Sequence, residues 1–273
     1  MATYNGERFI EEQIDSLFAQ TFKDWHLYIH DDGSTDNTIS IIKGYQNKYP
    51  DKITLLDYPT QGGPCKNFLS LLDRINARYY MFCDQDDVWL TDKIELSYKE
   101  MLVKEQESSE TGIVICSDLL VVDDNLKVIN NSMWDYLSIS PQYIKTFRDS
   151  GASAIVTGCT MLFNHKAKED CLPYSPAIMM HDCWVCLCTL KHNGKLYSIS
   201  KQLVRYRQHS DNNLGVGVSS AQIGILYRIR YFRELYKYNT KYYKMLSALD
   251  YGSIFKYLAA KIQYRLRIKR GYY

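Results

Sequence analysis

Two apolar runs in the first third of the chain each end in a cluster of acids, and this repeated pattern constrains the fold more than any other feature. Trp25–His30 leads into Asp31, Asp32 and Asp36, and Tyr79–Cys83 leads into Asp84, Gln85, Asp86 and Asp87. Apolar runs of this length read as buried strands. Helical periodicity lies around and between them. Ile10, Ile14, Leu17 and Phe18 share one face of a helix expected from Glu7 to Gln20. Ile39, Ile42 and Tyr45 mark a second helix closed by Pro50, and Phe68, Leu69, Leu72 and Ile75 a third, with a short strand at Ile53–Leu56 between them. Strands alternating with helices predict an α/β fold, a mostly parallel central sheet with helices on its faces. In such sheets ligands bind beyond the carboxyl ends of the strands, where both acidic clusters fall.

Past Asp87 the pattern predicts a helix over Thr91–Lys104 and a strand over Gly112–Cys116. Irregular polar sequence then runs to Ser153, followed by a strand within Thr157–Phe163 and a helix from His181. The 273 residues, 46% hydrophobic and 23% charged, suffice for one large globular domain with an appendage. No run approaches the roughly 18 uninterrupted apolar residues of a membrane span, and the N-terminus lacks the pattern of a secretory signal. Of the eight cysteines, Cys83, Cys116, Cys159 and Cys188 sit inside apolar runs, which suits reduced thiols of a cytoplasmic protein. Cys183, Cys186 and Cys188 beside His181 and His192 invite a zinc reading. No second pair at zinc-site spacing accompanies them, and Cys183–Leu190 reads as a buried helix. The absence of G-x-G-x-x-G and G-x-x-x-x-G-K-[ST] argues against a dinucleotide dehydrogenase and a P-loop nucleotidase.

In an extended stretch, side chains two apart point the same way, so Asp84 and Asp86 are expected to converge on one cation. Carboxylates suit Mg²⁺ or Mn²⁺, which commonly bridge to substrate phosphates. The competing reading of an isolated Asp-x-Asp is a solvated turn.

Charge is distributed unevenly. Residues 224–273 hold 12 Lys/Arg against 2 Asp/Glu and 11 of the 24 tyrosines, whereas the whole chain carries only +2. Two helices are expected there, Gln222–Leu249 and Ser253–Lys269, hinged near Gly252. A basic amphipathic helix with tyrosines is able to lie in an anionic membrane interface, to bind nucleic acid, or to pack on the body as a solvated helix. Membrane attachment is the reading preferred over nucleic acid.

Six segments in order resemble glycosyltransferase family 2, the inverting, nucleotide-sugar-dependent enzymes of the GT-A fold, and within it bacterial rhamnosyltransferase-like members that build surface polysaccharides. They are Thr3-Tyr4-Asn5-Gly6-Glu7, Asp31-Asp32-Gly33-Ser34-Thr35-Asp36, Asp84-Gln85-Asp86-Asp87-Val88-Trp89, Thr157-Gly158-Cys159, His181-Asp182-Cys183-Trp184 and Tyr206-Arg207-Gln208-His209. The likeness extends from Ala2 to about Gly215. It implies a GT-A domain over 1–221, with a nucleotide-binding half of about 1–117 and an acceptor half of about 118–221, and a helical tail over 222–273. It also implies roles. Thr3, Tyr4, Asn5, Glu7, Asp31 and Asp32 would hold the nucleoside, and Lys66 would face the diphosphate. Asp84 and Asp86, with His209 from a later loop and Asp87 as a helper, would hold Mg²⁺ or Mn²⁺. Asp182 would be the base that takes the acceptor's proton, a role that competes with simple capping of the next helix. Trp184 would stack on the acceptor or belong to the core. The donor would be a UDP- or dTDP-sugar and the acceptor a glycan on a polyprenyl carrier, met at the inner face of the cell membrane.

One departure stands out. The family's first strand is represented only by Met1 and Ala2, and the expectation is that Met1 is the end of that strand, through truncation or a misplaced start. Two alternatives stay open. A sugar-phosphate nucleotidyltransferase would carry a Gly-rich basic loop after the first strand, absent from Thr3–Gly6. A non-catalytic nucleotide-sugar-binding scaffold would have no need of Asp84, Asp86 and Asp182.

Overall fold

A computed structural model describes residues 1–108, 110–152, 156–209 and 231–271. Gly215, the 221/222 boundary and the start of the helix expected from Gln222 lie outside the described residues.

The N-terminal half builds a parallel three-stranded sheet in the order β1 (Ala2–Thr3), β2 (Leu27–Asp31), β3 (Ile53–Leu55). Of the family's first strand, expected to be represented only by Met1 and Ala2, the two-residue β1 is what the structure shows, shifted by one residue to Ala2–Thr3. Ala2 and Thr3 register against His30 and Asp31, at the carboxyl end of β2. The α-amino group of Met1 donates to Tyr28 O at 2.6 Å, and burial lowers its pKa. A cavity of about 710 Å³ is lined by Met1, Leu27, Tyr28, Phe68, Tyr80 and Phe82 among others, between β2 and β4 (Tyr79–Tyr80). Helices α1 (Ile10–Phe18), α2 (Thr38–Lys48) and α3 (Pro64–Arg74) fall where periodicity predicted them. Ile10, Ile14 and Leu17 meet Leu27, Ile29, Ile42 and Ile53 in one apolar cluster, each such side chain contributing about 1.5–3 kcal/mol by leaving water.

The second sheet is mixed. Its order is β4, β8 (Leu162–Asn164), β6 (Ile113–Val122), β9 (Lys195–Arg207), β5 (Val88–Trp89), and β7 (Val128–Asn130) pairs with β6. Its parallel ladder is β6 on β9, and the other ladders are antiparallel. The expected strand Gly112–Cys116 continues to Val122 because polar Asp118 is buried and satisfied. Asp118 accepts from Ser132 Oγ (2.6 Å), Leu119 N–H (2.8 Å), Gln202 Nε2 (3.0 Å) and Trp134 N–H (3.2 Å) at a register shift in the ladder. A buried acid with four donors costs far less than an unpaired one. The long β9, whose lysines and serines disguise it as loop, had no counterpart in the sequence reading.

Helix α4 (Lys93–Glu107) follows β5. Short helices α5 (Met133–Leu137) and α6 (Phe147–Ser150) interrupt the stretch read as irregular, and α7 (His165–Asp170) precedes α8 (His181–Lys191). Residues 183–190 are buried within α8, as their composition suggested. The chain ends in a hairpin of α9 (Phe232–Ser247) and α10 (Ile254–Gly271). It reverses at Gly252, whose φ of 102° requires glycine. Tail tyrosines anchor this hairpin to the body. Tyr242 Oη donates to Ser150 O (2.9 Å), Tyr251 Oη donates to Arg148 O (2.5 Å), and Tyr264 Oη accepts from Ser140 N–H (2.7 Å).

Candidate active site

The carboxyl ends of β1, β2 and β4 converge, and the loops leaving them are tied together by side chains. Asp31 closes the turn after β2. Its two oxygens accept from Gly33 N–H (3.0 Å), Ser34 N–H (2.7 Å), Ser34 Oγ (2.6 Å) and Thr3 Oγ1 (2.8 Å). Asp32 reaches the loop before α3 and accepts from Gly63 N–H (2.6 Å), Gly62 N–H (3.2 Å) and Gln61 N–H. Burial alone would raise the Asp32 carboxyl, but these N–H groups outweigh it and hold the pKa below the usual range. Buried His30 fixes the same corner, its Nδ1 lying 2.8 Å from Asn67 Oδ1 of α3. Lys66 lies exposed in the first turn of α3.

The loop after β1 is pinned from three sides. Asn5, at φ 46°, donates its N–H to Ser34 Oγ and accepts from Thr35 N–H. Glu7 accepts from Asn37 N–H and Nδ2, both at 2.8 Å, at the start of α2. Asp36, one position before the N-cap Asn37, accepts from Glu7 N–H and from the N–H of Thr38, the first residue of α2, a structural role close to the capping expected of it. Tyr4 exposes its ring, while its backbone N–H donates to Gln85 Oε1 and its carbonyl accepts from Gln85 Nε2, both at 2.9 Å. Gln85, given no role from sequence, is the clamp between this loop and the acidic loop. A Cβ at Gly6 would overlap its amide.

The acidic loop does not stay extended. The chain bends at Gln85 and Asp86, yet Asp86 stays close enough for its charge to act on the Asp84 carboxyl. One oxygen each of Asp84 and Asp87 lies within 4.8 Å of the other and of Cys159 Sγ, whereas Asp86 Oδ2 meets His209 Nε2 at 3.0 Å. Asp87 is fully buried. Its Oδ1 accepts from Arg207 N–H at 3.1 Å, and its Oδ2 has no hydrogen-bond partner. Burial, followed by the charges of Asp86 and Asp182, pushes Asp84 up to about 7. Clustered carboxylates, one with an orphaned oxygen, are a donor set that suits a hard divalent cation. The Cys159 thiol, driven well up by burial, is a poor partner for such an ion.

Arg207 holds this loop in place. Its buried guanidinium donates from Nε to Asp86 O (2.9 Å), from Nη1 to Asp124 O and from Nη2 to Glu12, and it lies over the Phe9 ring at 4.5 Å. Its position in the Tyr206–His209 segment hinted at a role, but nothing local reveals that it binds a carbonyl 121 residues away.

Asp182 lies opposite. It occupies the first turn of α8, accepts from Cys183 N–H (2.7 Å) and from Gly158 N–H (2.9 Å), and is 7% exposed. It does not cap α8, whose N-cap is Met180, but lies inside the first turn. The Thr157–Cys159 segment touches both sides, with Gly158 on Asp182 and Cys159 on Asp87. A Cβ at Gly158 would lie 3.0 Å from His181 Nε2, which explains glycine there. Trp184 is 2% exposed and donates to Cys171 O at 2.9 Å, so of its two expected roles it fills the core one.

This geometry, with strand-end loops clasping an acidic cluster and a carboxylate across from it, is that of a nucleotide-sugar transferase on the GT-A fold. Residues 1–172 match the family described as glycosyl transferase family 2, and the chain belongs to that family of glycosyltransferases. The dTDP-rhamnosyl transferase RfbG of Shigella flexneri is 30% identical over 226 residues, which cover 80% of this chain and 75% of the relative. The UDP-Glc:alpha-D-GlcNAc-diphosphoundecaprenol beta-1,3-glucosyltransferase WfgD of Escherichia coli is 27% identical over 198 residues, 71% of this chain and 69% of its own. The mannosyltransferase PcManGT of Pyrobaculum calidifontis, in complex with GDP-Man and Mn²⁺, shares the fold at TM-score 0.57 and 14% identity, over 97% of this chain and 78% of that one. S. aureus TarS 1-349 in complex with UDP-GlcNAc gives 0.55 at 21% identity, over 77% of this chain and 58% of that one.

Proposed function

We propose that this protein is an inverting glycosyltransferase that moves a sugar, rhamnose being the first candidate, from a dTDP- or UDP-sugar to a growing surface polysaccharide on a polyprenyl carrier. The observation that carries the reading is Asp182, a carboxylate fixed by two backbone N–H groups across from Asp84, whose own carboxyl it helps to raise. The relatives' names supply the candidates, dTDP-rhamnose from RfbG and a diphosphoundecaprenol-linked acceptor from WfgD.

In this reading Asp182 accepts the proton of the acceptor hydroxyl as its oxygen forms a bond to the anomeric carbon. On the opposite face the bond from that carbon to the diphosphate oxygen breaks, and the nucleoside diphosphate leaves with the electron pair. Asp84 and Asp86, with His209 and Asp87 beside them, would hold Mg²⁺ or Mn²⁺, which when bound offsets the charge of the departing diphosphate. Thr3, Tyr4, Asn5, Glu7, Asp31 and Asp32 shape the nucleoside side. Because Thr3, Glu7, Asp31 and Asp32 already serve as struts, the exposed Tyr4 ring and backbone groups of these loops are the parts free to meet the base. Lys66, exposed in the first turn of α3, is assigned to the diphosphate in this reading. Residues of about 1–117 serve the donor and 118–221 the acceptor. A lipid-borne acceptor would keep the enzyme peripheral at the inner face of the membrane, with 222–273 as its contact. No described helix is long and apolar enough to cross a membrane.

Thermal stabilisation by a panel of nucleotide sugars with Mn²⁺ identifies the donor, since a ligand that binds only the native state raises the melting temperature. Transfer is then measured with that donor. Asp182→Ala is expected to lower transfer by about 10²–10⁴ while preserving donor stabilisation, and Asp86→Ala to lose both. Full transfer in either variant rejects its assigned role.

A further inference from the structure

Helix α10 has two opposite apolar lines. Tyr257, Ala260, Tyr264 and Ile268 recur at i, i+3, i+7 and i+11 and are buried against the body. Phe255, Leu258, Ile262 and Leu266 follow the same spacing on the other side and are 78%, 48%, 62% and 49% exposed. At about 100° per residue the second line spans roughly 80° of the helix and lies opposite the first. Packing on this protein explains the tyrosine line but not the Phe255 line. Successive turns of an 18-residue helix, about 27 Å long, present this second line to solvent.

Charge flanks the exposed line on both sides. The same angular count puts Lys256 and Arg267 along one border, Lys261 and Arg265 along the other, and Lys269 at the end of the line. Lys256, Arg265 and Lys269 are exposed, Arg267 pairs with Asp149 at 2.8 Å, and α10 contains no acidic residue. A second copy meeting this face would set like charges against each other with no acid on the helix to answer them. A nucleic acid would answer the charges but leave Leu258, Ile262 and Leu266 in water. A bilayer with anionic headgroups over acyl chains meets both requirements.

We propose that the Phe255–Leu258–Ile262–Leu266 face of α10 is a docking surface for anionic lipid bilayers. The proposal rests on the reading of a membrane-borne acceptor and specifies which surface meets the membrane. The hairpin also sits beside the acceptor side of the site. Met179 N–H, two residues before the start of α8, lies 3.5 Å from Met245 Sδ of α9. Docking through α10 would therefore hold Asp182 near the membrane plane.

The test is flotation of the full chain with phosphatidylcholine vesicles, with and without phosphatidylglycerol. The wild type is expected to float only with the anionic vesicles. Leu258→Ser/Ile262→Ser and, separately, Lys256→Glu/Arg265→Glu should each weaken this, the second pair by at least about 25-fold, at about fivefold for each basic residue lost and more for the acids gained. Both should keep the wild-type melting temperature, because the packed tyrosine line is untouched. Equal flotation on neutral vesicles, no flotation, or flotation indifferent to both double variants overturns the proposal. So does a concentration-dependent dimer that the serine pair abolishes, or polyuridylate binding that only the charge pair abolishes. Transfer to a water-soluble acceptor in the same variants separates the two levels. Transfer without flotation refutes the docking surface alone, and absence of transfer in the wild type refutes the glycosyltransferase reading.

Discussion

Arg207→Ala should be among the more damaging single changes away from the reacting atoms. The wild-type guanidinium satisfies the carbonyls of Asp86 and Asp124, pairs with Glu12 and covers Phe9 while only 2% exposed. Truncation strands two carbonyl acceptors at about 1–3 kcal/mol each. Glu12 is 56% exposed, so loss of its ion pair adds at most about 1 kcal/mol after solvent screening. A loss of about 3–5 kcal/mol is expected, a fall of roughly 10 °C in melting temperature for a domain of this size. Arg207→Lys keeps a charge but not the planar fork, and should recover only part of that. Urea denaturation measures the stability. The Mn²⁺ concentration for half-maximal donor stabilisation, taken where each variant is folded, measures the set of the acidic loop and should rise in both variants. Stability of the alanine variant within about 0.5 kcal/mol of wild type, or an unchanged Mn²⁺ requirement, would refute the assignment of Arg207 as the residue that positions this loop.

Three further outcomes are expected. His181 is buried between Phe68 and Phe82 with neither ring nitrogen bonded, and burial, against the raising effect of Asp182, lowers its pKa from 6.5 to about 4. The native state thus resists the proton that the unfolded chain takes up. Stability should be full above about pH 6.5 and fall by about 3 kcal/mol as pH drops to 4, a slope that His181→Leu should flatten in pH-dependent denaturation. Trp184→Ala should cost about 3–5 kcal/mol in urea melts while leaving the KM for acceptor near wild type; a raised KM at wild-type stability would return it to the acceptor site. Tyr242→Phe removes a hydroxyl donor to buried Ser150 O and should cost about 1 kcal/mol, read as a lower melting temperature.

What the sequence revealed was local. The helix faces of Ile10–Leu17 and Phe68–Leu72, the structural role of Asp36 and the turn at Gly252 each depend on residues within a few positions of one another, and periodicity or turn chemistry suffices to find them. Contacts between distant segments escaped it. Gln85 clamps Tyr4 across 81 residues and Arg207 clamps Asp86 across 121, and neither leaves a mark on its own neighbourhood. The expected convergence of Asp84 and Asp86 assumed an extended chain; the chain instead bends at Gln85 and Asp86, Asp87 joins Asp84 near Cys159, and Asp86 meets His209 while its charge still acts on Asp84. Asp118 misled in the opposite direction. A polar residue in an apolar run looked like the end of β6 because three of its four donors, from Ser132, Trp134 and Gln202, come from elsewhere in the chain.

The central claim, a single displacement assisted by one carboxylate, is tested most directly by the stereochemistry of the product. With a nucleotide sugar of known anomeric configuration, NMR of the first-formed product should show the opposite configuration at the anomeric carbon. Formation of that product should collapse in Asp182→Asn while donor stabilisation persists. Retention of configuration would contradict the account, since a single displacement from the face opposite the leaving diphosphate must invert the anomeric carbon.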